Sequence, residues 1–184
     1  MFPQNTFLDF EVLPTYNCAT LAIADTSYYN PNMVISGGVL QVLVPGYITP
    51  VDLAYTQGTV NIFNSNTLGI TNVLNSTDLV PIPDGAYTIK MSICPSDFYW
   101  TERTFYRTCQ IECKYDEAIL LLDLNNCSTC YNKDLWQQIQ RARTFIEGCK
   151  SNANSCNIRN ATECYNVANK ILDTIIECKC WSKT

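Results

Sequence analysis

The sequence predicts an α+β fold, in which an N-terminal β-sandwich is followed by a short helix and a C-terminal, Cys-flanked antiparallel helical hairpin. Three observations support this prediction. All twelve Lys and Arg residues lie at or after Lys90. Short β-branched and aromatic segments fill the chain up to residue 107, and a helical spacing of apolar residues begins after Cys113. We therefore predict two domains, residues 1–107 and 108–184.

Several short segments of the first domain have the composition of strands, and clusters of Gly, Pro, Asn and Asp separate them. They are residues 6–12, 20–25, 39–44, 59–63 and 69–74. A further strand follows the turn at Asp84-Gly85. In it, Tyr87, Ile89 and Met91 alternate with small or polar residues, which is typical of a half-buried strand. Roughly seven or eight short strands at this spacing are typical of a β-sandwich.

The second domain has helical periodicity throughout. Residues 115–124 predict a short apolar helix, and residues 131–149 and 161–179 predict two helices of equal length. Asn160 and Glu163 have the spacing of a capping box, which predicts that Asn160 caps the last helix. The apolar seam of the first long helix is Leu135, Ile139, Ala142, Ile146 and Cys149, and that of the second is Cys164, Ala168, Ile171, Ile175 and Cys178. Two matching seams of this kind predict an antiparallel hairpin.

The distribution of charge suggests how the first domain is used. Residues 1–89 contain six acidic residues and neither Lys nor Arg. Soluble sheets usually protect their edge strands with charge, above all with Lys, and this part has none to use. Copies of the chain or neighbouring subunits are the simplest cover for such edges. Because phosphates are bound by Lys and Arg, this part binds DNA poorly and could line a passage through which DNA moves.

The composition argues against an enzyme. The chain has no histidine, which excludes Ser-His-Asp and Cys-His catalytic sets and histidine metal ligands. Its Gly-Gly pair, Gly37-Gly38, is not followed by the Lys-Ser/Thr of a phosphate-binding loop. We therefore predict no catalytic residues. No apolar run reaches the length of a membrane span, and the N-terminus lacks a secretory leader, which predicts synthesis in the cytosol and no membrane partner.

Four of the eleven cysteines are predicted to meet at one end of the hairpin. Two precede the first long helix and two close the second, and antiparallel pairing brings these ends together. They are Cys127, Cys130, Cys178 and Cys180. Three states remain open for them: a structural zinc site, two disulfides, or packed thiols. No cofactor is certain from the sequence, and zinc is the one that this pattern would accept.

Other cysteines offer further pairings. Cys149 and Cys164 fall in the same layer of the hairpin, near its loop, and form a second candidate thiol pair. Cys109 and Cys113 lie at the junction of the two domains and could join the Cys127/Cys130 group. An odd number of cysteines excludes a complete set of internal disulfides.

Three stretches of sequence resemble a known group of proteins. They are the segment LVPIPDGAY at 79–87, the segment TCQIECKYDE at 108–117 with its following AILLLDL helix, and the Cys-flanked hairpin. Together they resemble virion proteins of crAss-like tailed phages that infect gut Bacteroidales, over roughly residues 79–180. The resemblance implies a ring subunit of the head-to-tail neck or of the tail, with no catalytic residue.

The two lines of argument give one functional prediction. The chain is expected to be a non-enzymatic structural protein of the virion, made in the host cytoplasm, that forms a cyclic oligomer in the neck or tail. Its expected partners are copies of itself, other neck or tail proteins and the portal, and DNA passes through the ring without specific binding. The alternative is a cytosolic adaptor or regulatory protein with a four-cysteine zinc site in the hairpin.

Overall fold

The computed structural model describes residues 6–15, 17–32, 37–70, 80–94, 100–124, 133–154 and 157–177. In these ranges the elements are β1 (Phe10–Leu13), β2 (Thr20–Asp25), β3 (Gly37–Leu43), β4 (Val51–Tyr55), β5 (Val60–Asn64), β6 (Gly85–Cys94), β7 (Trp100–Arg107), α1 (Cys109–Leu124), α2 (Lys133–Asn154) and α3 (Ile158–Ile176). The chain divides into two compact units, Met1–Pro83 with Tyr87–Thr104, and Asp84–Ala86 with Phe105–Thr184. The predicted α+β class is confirmed.

The strands form two antiparallel sheets. In the three-stranded sheet the order is β1-β2-β5, and in the four-stranded sheet it is β4-β3-β6-β7. In the described part of the chain, the edge strands are therefore β1, β5, β4 and β7. The register pairs Leu21 with Phe63 in the first sheet and Leu40 with both Leu53 and Met91 in the second.

The buried faces of the sheets follow the alternation in the sequence. In β6 the predicted apolar side is confirmed, because Tyr87, Ile89, Met91 and Ile93 are all buried while the residues between them are partly exposed. Successive side chains of a strand point to opposite faces, so one face of β6 enters the core and the other faces outward. Residues 69–74, predicted as a strand, are only partly described: Gly69 ends a turn, and 71–74 lie outside the described residues.

Gly38 of β3 occupies a position that has no room for a side chain. It is paired with Tyr55 of β4, and a Cβ atom at Gly38 would overlap the Tyr55 ring. The Tyr55 ring cannot move away cheaply, because it is buried and its hydroxyl lies 3.1 Å from that of Tyr29. The absence of a side chain at Gly38 therefore leaves room for an aromatic ring from the neighbouring strand.

We expect Gly38→Ala to destabilise the protein by about 1–3 kcal/mol, because overpacking forces the buried ring out of position. Gly37→Ala is the matched control, since a Cβ at Gly37 has no heavy atom within 4 Å. Urea unfolding of both variants measures the difference. Equal stability of the two variants would contradict this account of Gly38.

The second unit contains the three helices, and the bounds of all three differ from the prediction. The helix predicted at 131–149 is α2, which ends at Asn154, five residues later than predicted. The helix predicted from residue 115 begins at Cys109, because the Asp84 carboxylate accepts hydrogen bonds from the backbone N–H groups of Gln110 and Ile111. The prediction that Asn160 caps the last helix is wrong. The cap is Asn157, whose side chain accepts from the backbone N–H of Asn160 at 3.2 Å.

One hydrophobic core cluster contains residues from all three helices of the second unit. From α2 it takes Ile139, Ala142 and Ile146, as the seam predicted. α3 contributes Ala168, Leu172 and Ile175 to this core. α1 contributes Ile111, Ala118 and Leu122. The predicted seams are confirmed only in part. On α3, Ala168 and Ile175 are buried, Ile171 is only partly buried, and Leu172 takes the buried position in its place. Cys178 lies outside the described residues.

Candidate functional site

The strand β5 is an edge strand without charge. Within the described residues it pairs with β2 alone, and its sequence is Val60-Asn61-Ile62-Phe63-Asn64. Phe63 is buried on the inner face, whereas Val60 and Ile62 point outward and are 52% and 66% exposed. β-Branched residues favour strands, but a polar or charged residue usually occupies the outward positions of a solvated edge.

The outward side of β5 continues into an apolar surface. Ile62 lies opposite Ala22 of β2, and Val60 lies opposite Ala24. Ala22 is buried and Ala24 is partly buried, so Val60 and Ile62 project beyond the small side chains of β2. We call the surface formed by Ala24, Val60 and Ile62 the β5 face. It leaves two large apolar side chains exposed at an edge strand that carries no charge.

The opposite border of the first unit is protected by charge. Arg103 of β7 forms an ion pair with Asp9, at 2.5 Å, and a hydrogen bond with the carbonyl oxygen of Phe10 at the start of β1. Its guanidinium group also lies 4.3 Å from the centroid of the Phe10 ring. The edge strands β1 and β7 are therefore joined by a basic side chain, which is the usual protection of an edge. The β5 face carries no such residue.

A hydrogen-bonded turn fixes the start of β5. The Asp25 carboxylate accepts from the backbone N–H of Gly58 at 2.8 Å and from the Tyr29 hydroxyl at 2.6 Å. The side chain of Asn61 accepts from the backbone N–H of Thr56 at 2.8 Å, across the same turn. Burial would raise the pKa of Asp25, but its hydrogen bonds with Ser27, Tyr29 and Gly58 outweigh burial and lower the pKa below 3.8. The β5 face is thus presented by a fixed strand.

The Tyr29 hydroxyl makes the free energy of unfolding vary with pH in the alkaline range. Burial, and next the hydrogen bond to Asp25, raise the pKa of Tyr29 well above its ordinary value of 10.0. The unfolded chain then loses this proton at a lower pH than the folded chain does. The stabilisation linked to Tyr29 is therefore fully present below pH 10 and declines as the pH rises above it.

We expect the unfolding free energy to fall more steeply above about pH 10 in the wild type than in Tyr29→Phe, because each proton lost only on unfolding contributes about 1.4 kcal/mol per pH unit. Urea unfolding at several pH values between neutral and alkaline measures the slope. Tyr28→Phe, which removes the exposed neighbouring tyrosine, is the control. An identical slope in the wild type and Tyr29→Phe would contradict the linkage.

The four cysteines predicted to meet at the end of the hairpin lie outside the described residues. They are Cys127, Cys130, Cys178 and Cys180. The zinc, disulfide and packing alternatives for this group therefore stay predictions.

The second candidate pair is described. Cys149 of α2 and Cys164 of α3 are both free thiols and belong to one hydrophobic cluster with Tyr106 and Ala161. Cys149 donates to the carbonyl oxygen of Phe145 at 3.3 Å. Burial, and next the neighbouring Cys164, raise the pKa of Cys149 to about 12. This thiol stays protonated near neutral pH, so it packs as a small apolar group and is a poor nucleophile or metal ligand.

Cys109 and Cys113 lie one turn apart in α1, and their sulfur atoms are within 4.8 Å of each other. Cys109 is disulfide-bonded, and the sulfur atom of a disulfide carries no thiolate charge for a metal. A metal at this pair would therefore require Cys109 to be reduced.

One functional feature was missed by sequence reasoning. Residues 59–63 were predicted to form a strand, but the outward position of Val60 and Ile62 was not predicted. The available signal was a strand in which neither face carries a charged residue.

No known protein-family model matches the chain, and no curated protein is significantly similar to it in sequence. Among the helices in the described ranges, none is both long enough and apolar enough to cross a lipid bilayer.

Proposed function

We propose that this chain is a non-enzymatic structural protein of a tailed-phage virion, which forms a multi-copy ring in the neck or tail between the capsid portal and the tail. The observation that carries the proposal is the β5 face. An uncharged edge strand with two exposed β-branched residues is unfavourable in water and favourable at a subunit interface.

The geometry of this surface suits repeated contacts between copies. The β5 face lies at one border of the first unit's sheets, whereas Arg103 joins the edge strands at the other border. A contact between unlike surfaces of identical chains generates a ring when its rotation closes. We propose that the β5 face of one copy packs against a different surface of the next copy.

The charge of the described residues before Lys90 suits a passage for DNA. The described residues before Lys90 include neither Lys nor Arg, so they attract no phosphate. A wall that bound DNA would slow the passage of the genome, because each phosphate contact adds affinity. We propose that this side of the ring admits DNA without specific binding, and that the ring contacts the portal and other neck or tail proteins.

The finer architecture forms part of the proposal. We propose that the two sheets pack as a β-sandwich, which is supported by the contact between the Tyr29 and Tyr55 hydroxyls and by a hydrogen bond from Ser27 to the sulfur of Met91 at 3.5 Å. We also propose that α2 and α3 form an antiparallel hairpin. They share one core, and the segment that connects them, from 155 to 157, is too short for a parallel arrangement.

Native mass spectrometry and light scattering of the purified protein test the ring. We expect one closed oligomer, with interfaces that each bury more than about 1,000 Å² in total. A monomer at high concentration would contradict the proposal. The zinc and thiol content of the same sample tests the alternative, since about one zinc per chain, lost together with the fold on chelation, would favour the zinc-binding adaptor.

A further inference from the structure

A second surface of the first unit has the features of a ligand site. It lies on the outward face of the four-stranded sheet, opposite the face that carries Ile89 and Met91. A groove of about 440 Å³ opens there, within the range of about 300–1,000 Å³ that ligand sites occupy. It is lined by Val39, Gln41, Asp52, Lys90, Ser92 and Trp100. We call it the Trp100 groove.

The strand register arranges the polar groups of the groove in a row. Gln41 of β3 is paired with Asp52 of β4 on one side and with Lys90 of β6 on the other. Neighbouring strands are about 4.8 Å apart, so the row spans about 10 Å at the backbone. It offers an acceptor, an amide that both donates and accepts, and a donor, in that order.

The balance of charge in this row favours a neutral ligand. One carboxylate and one ammonium group offset each other, and the remaining polar residues, Gln41 and Ser92, are uncharged. A phosphate or a nucleic acid would be attracted by Lys90 but repelled by Asp52. A molecule with several hydroxyl groups can instead donate to Asp52 and accept from Lys90 at the same time.

Trp100 supplies an aromatic surface beside the polar row. Its side chain is 53% exposed, although exposing an indole to water is unfavourable. The Lys90 ammonium group lies 4.9 Å from the centroid of the ring, which holds the indole at the side of the groove. A sugar ring has an apolar C–H face that packs on an indole and hydroxyl groups at its rim that reach polar side chains.

We propose that the Trp100 groove binds a neutral oligosaccharide. The sugar packs against Trp100, and its hydroxyl groups bond to Asp52, Gln41 and Lys90. The groove belongs to the four-stranded sheet and does not include the β5 face. If the protein is the proposed structural protein, the Trp100 groove would let it bind a surface that carries glycans.

Titration of the full chain with neutral oligosaccharides tests the proposal. The probes are tetramers of β-1,4-linked glucose, α-1,4-linked glucose, β-1,4-linked N-acetylglucosamine and mannose, followed by calorimetry and by tryptophan fluorescence. We expect at least one tetramer to bind, and Trp100→Ala to weaken its binding about tenfold or more. Asp52→Asn should weaken binding in the same direction, because the amide replaces one acceptor oxygen by a donor.

The matched control is Tyr47→Ala, which removes an aromatic side chain that is similarly exposed, at 47%, but does not line the groove. It should bind as the wild type does, and circular dichroism should show all three variants folded. Failure of every tetramer to bind at millimolar concentration would overturn the proposal. So would unchanged affinity in Trp100→Ala, or binding of pyrophosphate or a short oligonucleotide in place of the sugars.

Discussion

Ile62→Lys should separate the assembled protein into folded monomers. In the proposed ring, Ile62 is buried between copies, and a lysine there would place an unpaired ammonium group in the interface. Burying an unpaired charge costs on the order of several kcal/mol, so we expect affinity at each interface to fall roughly 100-fold or more. In a monomer the same lysine would be solvated, because position 62 is 66% exposed. Light scattering and native mass spectrometry measure the change.

The matched control for this experiment is Ile48→Lys. Ile48 is 99% exposed and lies in the loop between β3 and β4, so the same substitution is made away from the β5 face. It should leave both the oligomer and the thermal unfolding temperature unchanged. If Ile62→Lys stayed fully assembled, or if both variants dissociated alike, the β5 face would not be the interface. An unfolded Ile62→Lys variant would also count against the proposal, since a solvated lysine at an exposed position should be tolerated.

The features that could be predicted from sequence are those encoded by local repetition. The buried side of β6 follows from the alternation of Tyr87, Ile89 and Met91, because a strand has a period of two. The core of α2 likewise follows from the spacing of Ile139, Ala142 and Ile146. A repeated pattern of apolar residues selects both the element and its buried side, so these predictions depend on no distant contact.

The features that could not be predicted depend on residues far apart in the sequence. The helix α1 begins at Cys109 because Asp84, 26 positions from Gln110, receives its first N–H groups. A local search for caps cannot find such a residue. The cap of α3 was misplaced for a different reason. Asn157 and Asn160 are equally good cap residues, and the local sequence does not distinguish between them.

For the candidate interface too, the local features could be predicted from sequence and the features that depend on distant residues could not. The strand character of β5 is local, and the prediction of residues 59–63 came close to Val60–Asn64. The exposure of Ile62 is not local, because it depends on β5 ending the order β1-β2-β5 and on Ala22 lying opposite. The absence of Lys and Arg before Lys90 predicted that some edge would lack protection, but only the strand order shows which one.

Within the second unit, Asp84 joins the start of α1 to α3. Its two carboxylate oxygens accept from the backbone N–H groups of Gln110 and Ile111, each at 2.9 Å. The Tyr165 hydroxyl donates to the second of these oxygens, also at 2.9 Å. Burial, and next the charge of Asp84, raise the pKa of Tyr165. A carboxylate is favoured at this position because the N-terminus of a helix is partly positive.

We therefore expect Asp84→Ala to lower the unfolding free energy by about 2–4 kcal/mol, since it removes a helix cap and leaves the half-buried Tyr165 hydroxyl without its acceptor. Tyr165→Phe removes only the hydroxyl and should cost about 1 kcal/mol. In the double variant the two losses should not add, because both singles break the same hydrogen bond, and the coupling should be about 1–2 kcal/mol. Urea unfolding of the four proteins measures this cycle.

Asp123→Ala is the control, because it removes an exposed acid from the other end of α1. Its effect should stay within about 0.5 kcal/mol, as for most exposed positions. If Asp84→Ala were no more destabilising than Asp123→Ala, α1 would not depend on a distant cap. If the losses at Asp84 and Tyr165 were additive, the hydroxyl would contribute through some other contact. A large coupling would mean that one carboxylate both starts α1 and holds α3 beside it.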